Sequence, residues 1–117
     1  METSDKRTVL ITGASAGIGL AFAKEFVRHG FNLVLVVRRG ERLEGIGAEL
    51  EHNHGIRKVL FSVDLSHVDA VETIMRQLAE KEIRIDALVN NAGFGVNEKF
   101  LDADWSEHAR SLEVMLA

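Results

Sequence analysis

The chain has 117 residues, of which 46% are hydrophobic and 27% charged, and its formal net charge at pH 7 is −4. This size predicts a single domain over residues 1–117, and the scattered Lys and Arg residues form no basic patch for nucleic acid. The absence of cysteine excludes disulfides and thiolate metal sites, and the lack of a signal-like leader or of an apolar run of about 18 residues predicts a cytoplasmic protein without a membrane partner.

Strand-like and helix-like runs alternate along the chain. Short apolar runs predict four strands, over residues 8–12, 31–37, 58–63 and 86–89. Amphipathic spacing predicts four helices. The first runs from the first glycines up to Gly30, and the second covers about residues 41–51 and is followed by a turn at 52–55. The third covers about residues 66–81, and the fourth runs from about residue 104 into the C-terminus. This β-α-β-α-β-α-β-α order predicts an α/β fold with a doubly wound parallel sheet.

Three glycines follow the first predicted strand: Gly13, Gly17 and Gly19. A turn from a strand into a helix, at the carboxyl end of a sheet, is where doubly wound folds hold ligands. Because Gly17 and Gly19 lack side chains, a diphosphate can approach the backbone N–H groups and the positive dipole of the first helical turn. The same glycines also fit a purely structural turn, but their position between strand and helix favours nucleotide binding.

Neighbouring residues narrow the choice of nucleotide. Gly19 is followed by Leu20 and Ala21, whereas the phosphate loop of kinases and GTPases requires Lys and then Ser or Thr. About 20 residues beyond the turn, where such folds meet the adenosine ribose, the chain has Arg38 instead of an acid. An arginine there suits the 2′-phosphate of NADP and argues against NAD and against a methyl-donor site. The alternative for Arg38 is a solvated charge at the end of a strand.

Three motifs stand after predicted strands: Thr12-Gly13-Ala14-Ser15-Ala16-Gly17-Ile18-Gly19, Asp64-Leu65 and Asn90-Asn91-Ala92-Gly93. Together they resemble the N-terminal half of the short-chain dehydrogenase/reductase family, and the resemblance covers nearly all of the chain. It implies a Rossmann-like dinucleotide-binding domain with strand order 3-2-1-4, truncated relative to the family.

The resemblance also implies cofactor roles for residues in all three motifs. The glycine segment would contact the cofactor through Gly13, Ser15, Ala16, Gly17, Ile18 and Gly19. Asp64 would accept a hydrogen bond from the adenine amino group, and Leu65 would lie near the ring. The segment of Asn90, Asn91, Ala92 and Gly93 would shape the end of the fourth strand, with Asn91 and Gly93 beside the nicotinamide ribose. The simpler alternatives are that Asp64 helps to begin a helix and that Asn90 satisfies backbone groups in a turn.

The family's hydride transfer needs residues that this sequence does not contain. By resemblance, a tyrosine hydroxyl moves the proton with the help of a lysine and a serine, and the chain has no tyrosine. A family asparagine, in the helix after the fourth strand, aligns best with Met115, whose thioether is only a weak acceptor. Either the alignment is shifted by a residue or two, or this chain has lost the proton relay. We therefore predict an NADP(H)-binding domain of an oxidoreductase that does not turn over by itself. Its substrate is unassigned, and no catalytic or metal-binding residue is assigned.

The end of the predicted sheet offers an alternative function. The fourth strand is interior in the family but would be an open edge here, and an open edge is a template for pairing with other chains. The alternative is a non-enzymatic interaction module that pairs with a full-length relative, and a homo-oligomer would use the same edge. A third possibility is that the 117 residues are part of a longer reductase.

Overall fold

The computed structural model describes residues 6–13, 17–37, 52, 54–63, 68–90 and 109–116. In chain order, the elements within them are β1 Thr8–Thr12, α1 Gly17–Arg28, β2 Asn32–Val37, β3 Lys58–Ser62, α2 Val68–Glu80, β4 Ile85–Asn90 and β5 Ala109–Leu116. The four predicted strands are confirmed as β1 to β4, and the first and third predicted helices are confirmed as α1 and α2, all to within two residues at each end.

All the described strands run parallel in one sheet of order β3-β2-β1-β4-β5. The predicted order 3-2-1-4 is confirmed, and β5 is added beyond β4. β1 lies in the middle, with Thr12 paired with Val36 on one side and with Asn90 on the other. Because the chain places β2 and β3 on one side of β1 and β4 on the other, the winding direction reverses between β1 and β4.

The last described segment is a strand, so the predicted C-terminal helix is wrong for residues 109–116. Leu112, Val114 and Leu116 recur at every second residue, which is the period of a strand. Apolar residues with this spacing can also occur near a helix end. The free side of β4 decides between helix and strand because it supplies backbone hydrogen-bond partners. Tertiary pairing therefore overrides the local helix signal.

β5 pairs in parallel with β4, and Met115 lies opposite Val89 in the register. The pairing is irregular between Ile85 and Ala87, where β5 advances by more residues than β4 does. β4 is consequently an interior strand, and the prediction that it forms an open edge is wrong. Within the described sheet, β5 is the outer strand on this side and β3 is the outer strand on the other.

Helices cover both faces of the sheet, and this explains why β1 is apolar without alternation. Val9 and Ile11 belong to a core with the α1 residues Ala23 and Val27. Leu10, between them in sequence, belongs to a second core on the opposite face with Ile74 and Leu78 of α2. Each fully buried side chain of this size contributes about 1.5–3 kcal/mol through the hydrophobic effect. The two cores therefore fix β1 as the central element of the fold.

α1 ends as its sequence predicts. The Gly30 N–H donates to the Val27 carbonyl at 2.9 Å, and the Phe31 N–H donates to the Phe26 carbonyl at 3.1 Å. Gly30 has a φ of 85°, so these bonds form a Schellman motif with glycine at the left-handed position. The rings of Phe26 and Phe31 meet edge to face with their centroids 4.9 Å apart, which supplies the hydrophobic contact that accompanies this motif.

α2 ends in the same motif without a glycine. The Glu82 N–H donates to the Ala79 carbonyl at 3.0 Å, and the Ile83 N–H donates to the Leu78 carbonyl at 2.9 Å. Glu82 takes the left-handed position with a φ of 56°. For a residue with a Cβ this conformation costs roughly 1–2 kcal/mol. Glu82 therefore carries backbone strain that the hydrogen bonds of the turn hold in place.

A buried carboxylate joins β1 to β4 at the amino edge of the sheet. Asp86 is 7% exposed, and its Oδ2 accepts the Thr8 N–H at 2.8 Å. The side chain thus satisfies a backbone donor at the start of β1, just before the regular pairing with β4 begins at Val9. A hydrogen bond to a charged acceptor is stronger than one between neutral groups, so Asp86 helps to hold the two strands in register.

Predictions for residues 41–55 have mixed outcomes. The predicted helix over 41–51 lies outside the described residues. His52 and His54 have helical backbone, so the predicted turn at 52–55 is wrong for these two residues. The turn comes at Gly55, whose φ of 65° is one that glycine adopts without steric cost.

Neither α1 nor α2, the described helices, is long and apolar enough to cross a membrane.

Candidate functional site

The carboxyl ends of β1 and β4 meet at the point where the winding direction reverses. Thr12 ends β1 and Asn90 ends β4, and the two residues are register partners. In open α/β sheets the crevice outside the strands at such a switch point is the ligand-binding position. The topology alone therefore places the candidate site here, next to the beginning of α1.

Gly13 turns the chain away from β1 at this edge. Its φ is 65°, and its N–H donates to the Val36 carbonyl at 3.0 Å, which extends the pairing of β1 with β2 by one bond. A residue with a Cβ would be strained in this conformation by roughly 1–2 kcal/mol. The first glycine of the predicted motif thus has a specific structural role, as the residue that begins the turn toward α1.

The N-terminus of α1 supplies backbone donors beside that turn. The helix begins at Gly17 and its first turn contains no acidic residue. Gly19, in that turn, is buried, while Arg28 in the last turn complements the negative end of the helix dipole. The first N–H groups of a helix have no partner within the helix, so this end is suited to receive an anion.

A hydrogen bond between side chains links the two strand ends. The Thr12 Oγ1 donates to the Asn90 Oδ1 at 2.9 Å, and Thr12 is fully buried while Asn90 is half-buried. This bond occupies the amide oxygen of Asn90. Among the described residues, none accepts a hydrogen bond from the Asn90 Nδ2. Asn90 therefore offers N–H donors at the switch point, in an orientation that Thr12 fixes.

The Thr12 contact is the feature that sequence reasoning missed. Thr12 was expected only as the last residue of an apolar strand and the first letter of the glycine motif. The available signal is a hydroxyl at the end of a strand whose three central residues are apolar, because a buried polar group needs a partner. The spacing of the sequence does not say which residue of β4 would provide it.

Several predicted site residues lie outside the described part of the chain: Ser15, Ala16, Arg38, Asp64, Leu65, Asn91, Ala92 and Gly93. The other predicted site residues are described. Gly13 directly follows β1, the first turn of α1 contains Gly17, Ile18 and Gly19, and Asn90 ends β4. The structure thus places the described members of two predicted motifs at the same edge of the sheet. As cofactor contacts, all of the residues named here stay predictions.

The described strand ends indicate where the other motifs begin. β2 ends at Val37, directly before Arg38, and the Val63 N–H donates to the Val37 carbonyl at 2.9 Å, directly before Asp64. Val37 and Val63 lie at the carboxyl edge of the parallel sheet, the same edge that holds Thr12 and Asn90. In the described part of the chain, no group of three His, Asp or Glu side chains is arranged to hold a metal ion.

The parallel order, the helices on both faces and the glycine turn at the switch point define a Rossmann-type α/β protein. The chain belongs to the short chain dehydrogenase family, whose family model matches residues 7–117. This membership confirms the resemblance that the three motifs indicated.

Curated relatives and solved structures agree with the family. Over 90 residues the chain is 42% identical to a serine 3-dehydrogenase of Agrobacterium fabrum, a match that covers 76% of this chain and 34% of the relative. Over 104 residues it is 34% identical to an NADP-dependent 3-hydroxy acid dehydrogenase of Schizosaccharomyces pombe, covering 87% and 40% of the two chains.

Among solved structures, the L-sorbose reductase of Gluconobacter frateurii, complexed with NADPH and L-sorbose, superposes with a TM-score of 0.69 at 34% identity. That match covers 87% of this chain and 39% of the reductase. The chain thus spans between a third and about two-fifths of the length of these relatives.

Proposed function

We propose that this chain binds NADP(H) at the carboxyl edge of its sheet and forms the cofactor-binding part of an oxidoreductase. The observation that carries the proposal is the juxtaposition of three features at the β1/β4 switch point. These are the left-handed Gly13, the acid-free N-terminus of α1 and the Asn90 amide held by Thr12. The relatives named for NADP or solved with NADPH support the choice of cofactor.

The donor set of the site fits a dinucleotide. The first turn of α1 offers backbone N–H groups to a pyrophosphate, and glycines at positions 17 and 19 leave no side chain in its way. We assign to Asn90 a donor role toward the nicotinamide end. When bound, the cofactor supplies hydride transfer to or from a carbonyl or alcohol carbon.

Other residues in the proposed site extend this assignment along the sheet edge. Arg38 follows β2 and would select the 2′-phosphate, while Asp64 and Leu65 follow β3 and would hold the adenine. Ser15, Ala16, Ile18, Asn91, Ala92 and Gly93 complete the proposed set. These assignments rest on the position of each residue in the sequence, next to a strand or to the helix α1.

The 117 residues include no tyrosine, and we propose that on their own they bind the cofactor without turnover. Association with a second copy or with a full-length relative stays a prediction. Its expected position at β4 is occupied by β5, so a strand added on that side of the described sheet would pair with β5. Light scattering at micromolar concentration, with and without NADPH, measures the association directly.

Calorimetric titration with NADPH and NADH tests the proposed cofactor. We expect NADPH to bind about 10- to 100-fold more tightly, because hydrogen bonds to charged groups contribute about 1.5–3 kcal/mol. Arg38→Asp should abolish or reverse this preference. Arg76→Asp makes the same charge change at an exposed position of α2 and should leave the preference unchanged. Equal binding of both nucleotides to the unmodified chain would contradict the assignment of NADP.

A further inference from the structure

A cleft of ≈ 190 Å³ lies at the amino edge of the sheet, at the end opposite the proposed cofactor site. Residues that enter the strands line it, among them Lys6 before β1, Arg57 before β3 and Arg84 before β4. Strands of five or six residues separate the two edges by roughly 16–20 Å. The cleft is therefore a separate feature, and the proposed function does not use it.

Positive charge predominates among the residues that line the cleft. Lys6, Arg57 and Arg84 are cationic, and Glu82 is the acidic member of the lining. Among the described residues, none of the three cations forms an ion pair with a carboxylate, whereas Arg28 on α1 pairs with Glu25 at 2.8 Å. The chain as a whole has a net charge of −4, so this concentration of cations is opposite in sign to the rest of the molecule.

Hydrogen bonds hold the walls of the cleft in place. The Lys6 Nζ donates to the Gly55 carbonyl at 3.2 Å, which ties the segment before β1 to the turn before β3. The Asn32 Oδ1 accepts the Arg57 N–H at 2.9 Å, so the Asn32 Nδ2 is the group of that side chain which can still donate. The lining thus combines fixed backbone with donors that a bound anion can use.

The remaining wall is apolar and includes the strained turn after α2. Val59 and Ile83 line the cleft and also pack against the core on the α2 face. Glu82 contributes a carboxylate to this wall. Its φ of 56° is a conformation that glycine would adopt without strain. The volume is below the range of about 300–1,000 Å³ that is typical of drug-sized ligands, so only a small molecule fits.

We propose that this cleft binds a small oxyanion, a carboxylate or a phosphate, between Lys6, Arg57 and Arg84. The cations attract the anionic group, and Val59 and Ile83 accommodate a short apolar body attached to it. Glu82 opposes the binding of anions by like-charge repulsion and so keeps the affinity low. The proposal stands independently of NADP(H) binding at the other edge.

Nuclear magnetic resonance titration of the isotope-labelled chain tests the proposal at low ionic strength. Inorganic phosphate and butyrate are the two probes, and saturable shifts are expected at the backbone amides of Arg57 and Arg84. Saturation by phosphate alone assigns the site to phosphate compounds, and saturation by butyrate alone assigns it to carboxylates. Added salt should weaken either interaction because Arg57 and Arg84 are exposed to solvent.

Charge variants test whether the affinity for the anion changes in the expected direction. Arg57→Gln and Arg84→Gln should each weaken binding by about two- to fivefold, as expected for an exposed ion pair. Glu82→Gln should strengthen it by about two- to threefold, because it removes the opposing charge. Arg76→Gln, on the exposed surface of α2, is the matched control and should leave the affinity unchanged. Unchanged thermal midpoints would show that the variants fold.

Three outcomes overturn the proposal: no saturable shift with either probe, equal effects of Arg76→Gln and Arg84→Gln, or shifts at Gly13 and Gly19 instead of at the cleft. The last of these would place anion binding at the N-terminus of α1. It would support the proposed cofactor site while removing the second one, so the two proposals fail separately.

Discussion

The hydrogen bond between Thr12 and Asn90 can be removed with little change of shape. Thr12→Val replaces the hydroxyl by a methyl group and retains the β-branched side chain that suits a strand. The Asn90 Oδ1 then loses its donor at 2.9 Å, beside a position that is fully buried. An unsatisfied buried polar group costs about 1–3 kcal/mol. Because Asn90 is half-buried and water can reach part of it, we expect about 1–2 kcal/mol.

Urea unfolding followed by circular dichroism measures this loss of unfolding free energy. With a slope of about 1.5 kcal/mol per molar urea, the midpoint should fall by about 1 M. Thr8→Val is the matched control on the same strand: Thr8 is 6% exposed, and its backbone N–H keeps its bond to Asp86. The control should lower the midpoint less. Equal losses in the two variants would refute the reasoning, since the cost would then belong to the substitution and not to the hydrogen bond.

The same variant connects stability to the proposed function. Thr12→Val frees the Asn90 amide to rotate, so its N–H donors lose the orientation that Thr12 imposes. NADPH binding should weaken by a few fold in calorimetry, while Thr8→Val, at the other edge, should leave it unchanged. Unaltered NADPH affinity in Thr12→Val would remove Asn90 from the proposed contacts.

Further substitutions test the turns and the buried carboxylate by urea unfolding. Gly30→Ala should lower the unfolding free energy by about 1 kcal/mol, because alanine is strained in the left-handed conformation of Gly30. Glu82→Gly, at the equivalent position of α2, should raise the unfolding free energy by about 0.5–1 kcal/mol. Effects of the same sign would contradict the shared motif. Gly13→Ala should cost roughly 1–2 kcal/mol for the same reason as Gly30→Ala, and a neutral result would show that the turn adapts. Asp86→Ala should cost about 1–3 kcal/mol because the buried Thr8 N–H loses its acceptor, and a loss below 0.5 kcal/mol, within the range of about ±0.5 kcal/mol typical of surface substitutions, would refute that role.

Much of the fold could be predicted because its strands are covered on both faces. The continuous apolar runs of β1 and β2 indicate parallel strands between helices, and Gly30 marks the end of α1 directly. The segment 109–116 was predicted wrongly because its structure depends on the free side of β4. Local spacing permits a helix or a strand there, and only the pairing with β4 decides.

The candidate site could be predicted in outline but not in its contacts. Gly13 and Asn90 were expected at the carboxyl edge because each follows or ends a predicted strand. Their partners depend on register: Thr12 meets Asn90 only because β1 and β4 are neighbours, although their sequence separation is 78 residues. Asp86 was missed for the same reason, since its partner Thr8 also lies on the distant β1.

The central position of β1 has a consequence for the nascent polypeptide. Thr12 of β1 leaves the ribosome before its partner Asn90, and this side of β1 stays unpaired until 78 further residues have been translated. At about 5–20 residues per second, this delay is roughly 4–16 s. Until then, the β4 side of a strand whose residues are all buried in the folded chain lacks its partner, and such an unpaired strand edge favours aggregation of the incomplete chain.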